Sequence, residues 1–132
     1  MSIWDRFGMN EKISHSLDVQ SHEPGHHFGR PFMTPYQIAL RFDELYHQDV
    51  REIGKPIGGK GTGQYDSLAQ YIADQLSKRI ADERVTNVEG KFLYRKYLTT
   101  LQYDSGDVEA STGQSYDLSM FRLKEESSDE AG

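Results

Sequence analysis

The chain has no cysteine among its 132 residues and no long run of apolar residues. The first absence excludes disulfides, thiolate metal ligands and a cysteine nucleophile. The second argues against a helical membrane span, and the early charges at Asp5 and Arg6 are not typical of a secretory signal. The sequence therefore predicts a cytoplasmic protein without a membrane partner.

Composition and charge indicate one acidic globular domain. Hydrophobic residues make up 36% of the chain and aromatic residues 11%, enough for one core at this length. The net charge of −6 disfavours unspecific binding to nucleic acid. Residues 1–27 show no sustained apolar period, and four of the last nine residues are acidic. We expect an irregular N-terminal arm over 1–27 with one short helical turn near Trp4, a single α+β domain over 28–123 and an acidic mobile tail over 124–132.

Residues 34–48 have the pattern of a capped amphipathic helix. Thr34 and Gln37 stand in capping-box positions, where each side chain can accept a hydrogen bond from the backbone amide of the other. Pro35 falls at the first helical position, where its missing N–H is no loss. An apolar stripe then repeats at helical spacing: Ile38, Phe42, Leu45 and Tyr46. The pattern predicts a helix over 35–48.

A second amphipathic helix is predicted from Ser67 to about Asp82. Ser67 and Gln70 again have capping-box spacing. The apolar stripe is narrow and is widened by small residues: Leu68, Ala69, Ile72, Ala73, Leu76 and Ile80. Small side chains allow a neighbouring helix to approach closely, so we expect the two helices to pack together.

The sequence pattern predicts one short helix and several strands in the last third of the chain. Leu93, Tyr97 and Leu101 have helical spacing, which predicts a short helix near 93–100. Phe92, Tyr94 and the Thr99–Thr100 pair are at least as typical of a strand, which is the alternative. Turn patterns follow at 104–107 and 112–114, and apolar residues alternate with polar ones over 115–123. A small antiparallel β-meander is therefore predicted after the helices, an order typical of the α+β class.

The glycine-rich segment 53–63 is a predicted loop with a possible binding role. Glycine lets backbone amides converge, and a helix begins just beyond, so the loop could bind a phosphate or carboxylate. The nucleotide P-loop pattern fails, because Gly61 follows Lys60 where Ser or Thr is required. The candidate ligand-binding residues are Gly58, Gly59, Lys60, Gly61, Thr62 and Ser67. The alternative is a flexible connector between two helices.

Arg30 is the leading single candidate for ligand binding. It lies between Gly29 and Pro31, just before a predicted helix, so its backbone is more restricted than that of an ordinary surface arginine. A guanidinium held in this way can fork onto a carboxylate or phosphate of a ligand. The alternative is an arginine that pairs with an acid of this chain or caps its carbonyl groups.

His22, His26 and His27 form a cluster of possible metal ligands together with Glu23. The intervening Pro24–Gly25 pair prevents a helix from aiming His22 and His26 at one ion. The expectation is exposed polar histidines, with no metal and no cofactor. A metal-assisted enzyme using the His22–His27 cluster stays an alternative.

Neither an enzyme nor a DNA-binding protein is favoured by the remaining patterns. The serine-hydrolase elbow G-x-S-x-G and the zinc motif H-E-x-x-H do not occur. Two helices with glutamine and basic residues around the second could form a helix-turn-helix, but that motif has a turn of three or four residues. Here about 17 residues separate the predicted helices. A DNA-binding regulator is kept as the less favoured alternative.

Three segments carry a resemblance to a known group of proteins: His26–His–Phe–Gly–Arg–Pro–Phe–Met–Thr–Pro–Tyr–Gln–Ile–Ala39, Pro56–Ile–Gly–Gly–Lys–Gly–Thr–Gly63 and Ser67–Leu–Ala–Gln–Tyr–Ile72. Over about residues 26–80 the chain resembles short, uncharacterised bacterial proteins carried on integron gene cassettes. The resemblance implies a small cytoplasmic protein that self-associates and has a pocket for a small molecule. It implies no reaction and no catalytic residue.

Together these patterns lead to one functional hypothesis. The chain is predicted to be a small α+β module that binds an anionic ligand or a partner protein, and to form a homodimer. The site is expected where Arg30, the glycine loop and the start of the second helix meet.

Overall fold

The computed structural model describes residues 2–58, 67–94, 96–97, 100–104, 108–110 and 117–125. Five helices lie within these residues: α1 (Ile3–Arg6), α2 (Met9–Ser16), α3 (Pro35–Leu45), α4 (His47–Ile53) and α5 (Leu68–Ala81). Four strands lie within them: β1 (Val88–Leu93), β2 (Thr100–Gln102), β3 (Val108–Ala110) and β4 (Leu118–Leu123). The α+β class is confirmed. In this part of the chain no helix has the length and apolarity needed to cross a membrane.

The capping box at the start of α3 is confirmed. Thr34 Oγ1 accepts from the Gln37 amide at 3.2 Å, and Gln37 Oε1 accepts from the Thr34 amide at 2.9 Å. The helix is shorter than predicted, because Tyr46 leaves helical geometry (φ −136°) and separates α3 from α4. The Tyr46 hydroxyl lies 2.6 Å from His15 Nδ1 on α2. This contact spans 31 residues of sequence, so local patterns could not reveal it.

The second predicted helix is confirmed as α5. Ser67 Oγ accepts from the Gln70 amide at 3.1 Å, as predicted. The Gln70 side chain donates to Asp74 Oδ1 at 3.0 Å. Helices α3 and α5 pack against each other as expected. Their fully buried residues form the centre of the core: Ile38, Ala39, Phe42, Leu68, Ile72 and Leu76.

The prediction of an irregular arm over residues 1–27 is wrong for its first half, apart from the helical turn expected near Trp4. Ser2 caps α1 by accepting from the Asp5 amide at 3.1 Å, and α2 follows after Gly8. Five side chains of this segment are buried in the core: Trp4, Phe7, Met9, Ile13 and Leu17. Met9, Ile13 and Leu17 lie four residues apart, which is one face of a helix. The N-terminal segment is therefore part of the domain.

Helix α1 is held to α5 by an aromatic and cationic cluster. The rings of Trp4 and Tyr71 lie 6.5 Å apart, and the Arg79 guanidinium lies 4.6 Å from the centre of the Trp4 ring. Burial raises the pKa of Tyr71. Smaller influences act on the same pKa: a hydrogen bond with the Trp4 backbone and the charge of Arg79 lower it, and Asp5 raises it. Burial, the largest of these influences, therefore favours a neutral Tyr71.

Tyr71 is expected to make stability decrease at alkaline pH. The unfolded chain loses this proton near pH 10.0, before the folded chain does. The contribution is therefore complete below that pH and is lost as pH rises through the higher folded-state pKa. In Tyr71→Phe, the free energy of unfolding from urea titrations between about pH 9 and 11 should fall less steeply. Tyr94→Phe, at an exposed ring, should keep the wild-type slope; equal slopes in all three proteins would contradict the assignment.

The strands are nested and do not form the predicted meander. Strand β1 is antiparallel to β4, with Val88 opposite Leu123 and Leu93 opposite Leu118. Strands β2 and β3, which lie between them in sequence, pair with each other. The short helix predicted near 93–100 is also wrong, since Leu93 ends β1 and Thr100 begins β2. Pairing with a distant strand overrides the local helical spacing.

The β1–β4 pair is anchored to the core by Phe121. This ring is buried beside Gly90, where a Cβ atom would lie 3.2 Å from Phe121 Cε1. On its other side, Phe121 exchanges backbone hydrogen bonds of 2.9 Å with Met33, which immediately precedes the cap of α3. The segment before α3 is thereby placed along β4.

Candidate functional site

Two consecutive turns shape the segment that precedes α3. His26 donates its amide to the Glu23 carbonyl at 3.0 Å across Pro24 and Gly25. Proline at the second position and glycine at the third, with φ +87°, are the residues of a type II turn. The next turn is closed by Gly29, whose amide donates to the His26 carbonyl at 2.9 Å.

The turns gather three aromatic rings. His26 and His27 stack with centroids 4.2 Å apart, and each lies 4.7 Å from the centroid of Phe28 at a steep angle. His26 Nδ1 also accepts from the Phe28 amide at 3.0 Å. Phe28 is nevertheless 74% exposed. An ordered segment thus presents a phenyl ring to solvent.

Arg122 of β4 holds this segment in place. Its Nη1 donates to the carbonyls of Phe28 and Arg30 at 2.7 and 2.9 Å, and its Nε donates to Glu89 Oε2 at 2.7 Å. The guanidinium lies 4.3 Å from the centre of the Phe32 ring, within the range of a cation–π contact. Sequence reasoning missed Arg122, because the two carbonyls that it binds are 94 and 92 residues away and nothing near it in sequence marks it.

Arg30 pairs with an acid of this chain and donates to a backbone carbonyl, the alternative to ligand binding that the sequence offered. Nη1 donates to Asp18 Oδ1 at 2.7 Å and to the Val19 carbonyl at 3.2 Å. Arg30 therefore joins the turn segment to the residues that follow α2, and its buried Nε has no hydrogen-bond partner among the described residues.

These side chains border an open groove of about 620 Å³, a volume typical of small-molecule sites. Its lining combines aromatic, basic and backbone surfaces: Ser21, His22, Glu23, His26, Phe28, Gly29, Arg30, Pro31, Phe32 and Arg122. Four of these side chains are basic and one is acidic. The groove is the candidate functional site.

The start of α5 has fewer free amide donors for binding an anion than the sequence predicted. The amides of Leu68 and Ala69 donate to the Pro56 and Ile57 carbonyls at 2.7 and 3.0 Å, and the Gln70 amide donates to Ser67 Oγ. These three donors are therefore already used by the protein.

Gly58 lies beside this helix start. Its φ of +134° suits glycine, and a Cβ there would lie 3.2 Å from Ala69 Cβ and 3.6 Å from Ser67 Oγ. The structure thus brings Gly58 and Ser67 together, but neither lines the groove that contains Arg30. The other candidates of the glycine loop, Gly59, Lys60, Gly61 and Thr62, lie outside the described residues.

The histidines of the turn segment are not arranged around a common point. His22 Nε2 lies 3.6 Å from Glu23 Oε1, while His26 and His27 stack face to face. Within the ranges that the structure describes, no group of three His, Asp or Glu side chains could hold a metal ion. His26 and His22 instead contribute to the wall of the groove.

The groove is defined by its geometry and chemistry. Comparison of the chain with protein-family models, with curated proteins and with solved structures finds no match. The resemblance to integron-cassette proteins over residues 26–80 stays a prediction.

Proposed function

We propose that the protein is a binding module whose groove takes a small anionic ligand with a flat apolar body, such as an aromatic carboxylate. The observation that carries this proposal is the junction of Arg30 and Arg122 with the rings of Phe28 and Phe32 in one groove. Ligand sites characteristically combine apolar walls with a few placed polar groups.

The aromatic surface favours a ligand with a planar body. Phe28 exposes most of its ring on a segment fixed by two turns and by Arg122. A ring that is ordered before binding loses little conformational entropy when a ligand stacks on it. Stacked or edge-to-face aromatic pairs contribute about 0.5–1.5 kcal/mol beyond the area that they bury.

The charges favour an anion, and a singly charged one. Arg30 and Arg122 are basic, and the lining has a single carboxylate, that of Glu23. Each arginine also has an acidic partner, Asp18 for Arg30 and Glu89 for Arg122. These partners offset part of the positive potential, so a single negative charge suits the groove better than several.

Benzoate is expected to bind wild-type protein more tightly than benzamide, its neutral analogue of nearly the same shape. At 100 times its Kd a ligand raises the free energy of unfolding by about 2.7 kcal/mol, which thermal unfolding detects. Phe28→Ala should weaken binding at least several-fold without loss of stability, because the ring is exposed. Tyr94→Ala is the matched control, since this exposed ring lies outside the groove.

Arg30→Ala should weaken benzoate more than benzamide, whereas Arg84→Ala should leave both unchanged. Arg84 is paired with Asp82 and does not line the groove. Calorimetric titration gives the affinities. Equal binding of the two compounds would contradict the assignment of an anion. Unchanged binding in Phe28→Ala would contradict the assignment of the groove.

A further inference from the structure

We propose that two copies of the chain associate through the outer edge of β1, giving a continuous four-stranded antiparallel sheet. On one side β1 pairs with β4, and the far side of β4 bonds to Met33. Within the described residues β1 is therefore the outermost strand. An edge strand presents backbone N–H and C=O groups that a further strand can pair with.

The exposed residues of β1 are the third to the fifth of its six residues. Gly90, Lys91 and Phe92 are exposed, and Phe92 keeps 71% of its surface in contact with solvent. Among the described residues Lys91 has no ion-pair partner. Within the described part of the chain, this stretch of β1 therefore carries a largely exposed apolar ring and a charge without an ion-pair partner.

The charge pattern of β1 is complementary to itself in one register. In an antiparallel pair related by a twofold axis at Gly90, Glu89 of each copy lies directly opposite Lys91 of the other. A register centred on Glu89 or on Lys91 instead places identical charges opposite one another. Opposite charges at directly paired positions stabilise a sheet and like charges destabilise it, so the register centred on Gly90 is selected.

The neighbouring strand strengthens this arrangement. Glu89 already accepts from Arg122 Nε at 2.7 Å across the β1–β4 pair. In the proposed sheet Glu89 would lie between Arg122 of its own copy and Lys91 of the second. Two cations around one carboxylate form a row of alternating charge across the sheet.

The other face of the sheet supplies apolar contact. In the same register Phe92 of each copy lies opposite Val88 of the second copy, a core residue of the β1–β4 pair. Gly90 meets Gly90 at the axis, where no side chains obstruct the approach. A second copy fits this edge better than an unrelated peptide, because the complementary pattern is present in the strand itself.

Light scattering over a range of concentrations should show the wild type approaching twice the chain mass of 15.1 kDa. Lys91→Glu places two carboxylates opposite each other and should give the mass of one chain. Lys78→Glu makes the same charge change at an exposed position of α5 and should leave the dimer intact. Circular dichroism confirms that each variant is folded.

Mixing two charge variants tests the register itself. Glu89→Lys should also be a single chain, because the introduced ammonium group would then face Lys91 of the second copy. An equimolar mixture of Glu89→Lys and Lys91→Glu should recover twice the chain mass, since each cation then faces a carboxylate. A wild type that stays a single chain at about 100 µM, far above typical nanomolar to micromolar dissociation constants, would overturn the proposal. A folded Lys91→Glu variant that remains a dimer would also overturn the proposal. This outcome can be measured even if Glu89→Lys does not fold.

Discussion

A chain that begins at Asp18 is expected to be unfolded at 25 °C. Deletion of residues 1–17 removes five buried side chains from the core: Trp4, Phe7, Met9, Ile13 and Leu17. Complete burial of one such side chain contributes about 1.5–3 kcal/mol. The sum of about 7.5–15 kcal/mol is as large as the whole stability of a typical domain, about 5–15 kcal/mol.

Circular dichroism and urea titration would measure this result. The shortened chain should have no cooperative unfolding transition. Within α2, Ile13→Ala should lower the free energy of unfolding by about 2–5 kcal/mol, because Ile13 is buried. Glu11→Ala on the exposed face should change it by less than about 0.5 kcal/mol. A shortened chain with the wild-type transition would restore the prediction of a separate N-terminal arm.

Phe42→Ala should cost about 3–5 kcal/mol of stability, the range observed for large-to-small changes at buried aromatic positions. Phe42 has 0% of its surface exposed and lies on the face of α3 that packs against α5 and α2. Its ring also contacts Tyr46, with centroids 5.3 Å apart, so the cavity would open at the junction of three helices. The surrounding rigid elements limit how far the cavity can collapse.

The matched control for Phe42→Ala is Phe28→Ala. Both changes remove a phenyl ring, but Phe28 is largely solvent-exposed. The free energy of unfolding of Phe28→Ala, measured by urea titration, should differ from that of the wild type by less than about 0.5 kcal/mol. Comparable losses in the two variants would contradict the placement of Phe42 at the centre of the core.

The capped helices were predictable because their determinants are local. Thr34 and Gln37 lie three residues apart, and their reciprocal hydrogen bonds need no other part of the chain. The apolar stripe of α5 likewise follows from its own spacing. The α+β class follows from the order of these patterns along the sequence.

The short helices were not predictable in the same way. Helix α1 has four residues and α2 eight, lengths at which a helix is unstable on its own in water. They are stabilised by burial of Trp4 against α5 and of Ile13 in the core. At Leu93 a helix is predicted locally but does not form. The strand pairing with Leu118 overrides the helical spacing.

Only part of the candidate site could be predicted. Arg30 and two histidines of the turn segment, His22 and His26, were identified, and they do line one groove. Arg122, which binds the Phe28 and Arg30 carbonyls, was missed because a long-range contact leaves no local pattern. The expected donors at the start of α5 are bonded to the Pro56 and Ile57 carbonyls, which the glycine content could not show.

Local sequence patterns were enough to specify the class of fold and the two long helices, because caps, proline and apolar spacing act over a few residues. Tertiary contacts were needed for the rest: the N-terminal helices complete the core, β1 pairs with β4, and Arg122 holds Phe28 and Arg30 beside a groove. These contacts join residues up to 94 positions apart. Their free energy comes from burial and hydrogen bonding between distant segments, and neither exists until the chain has folded.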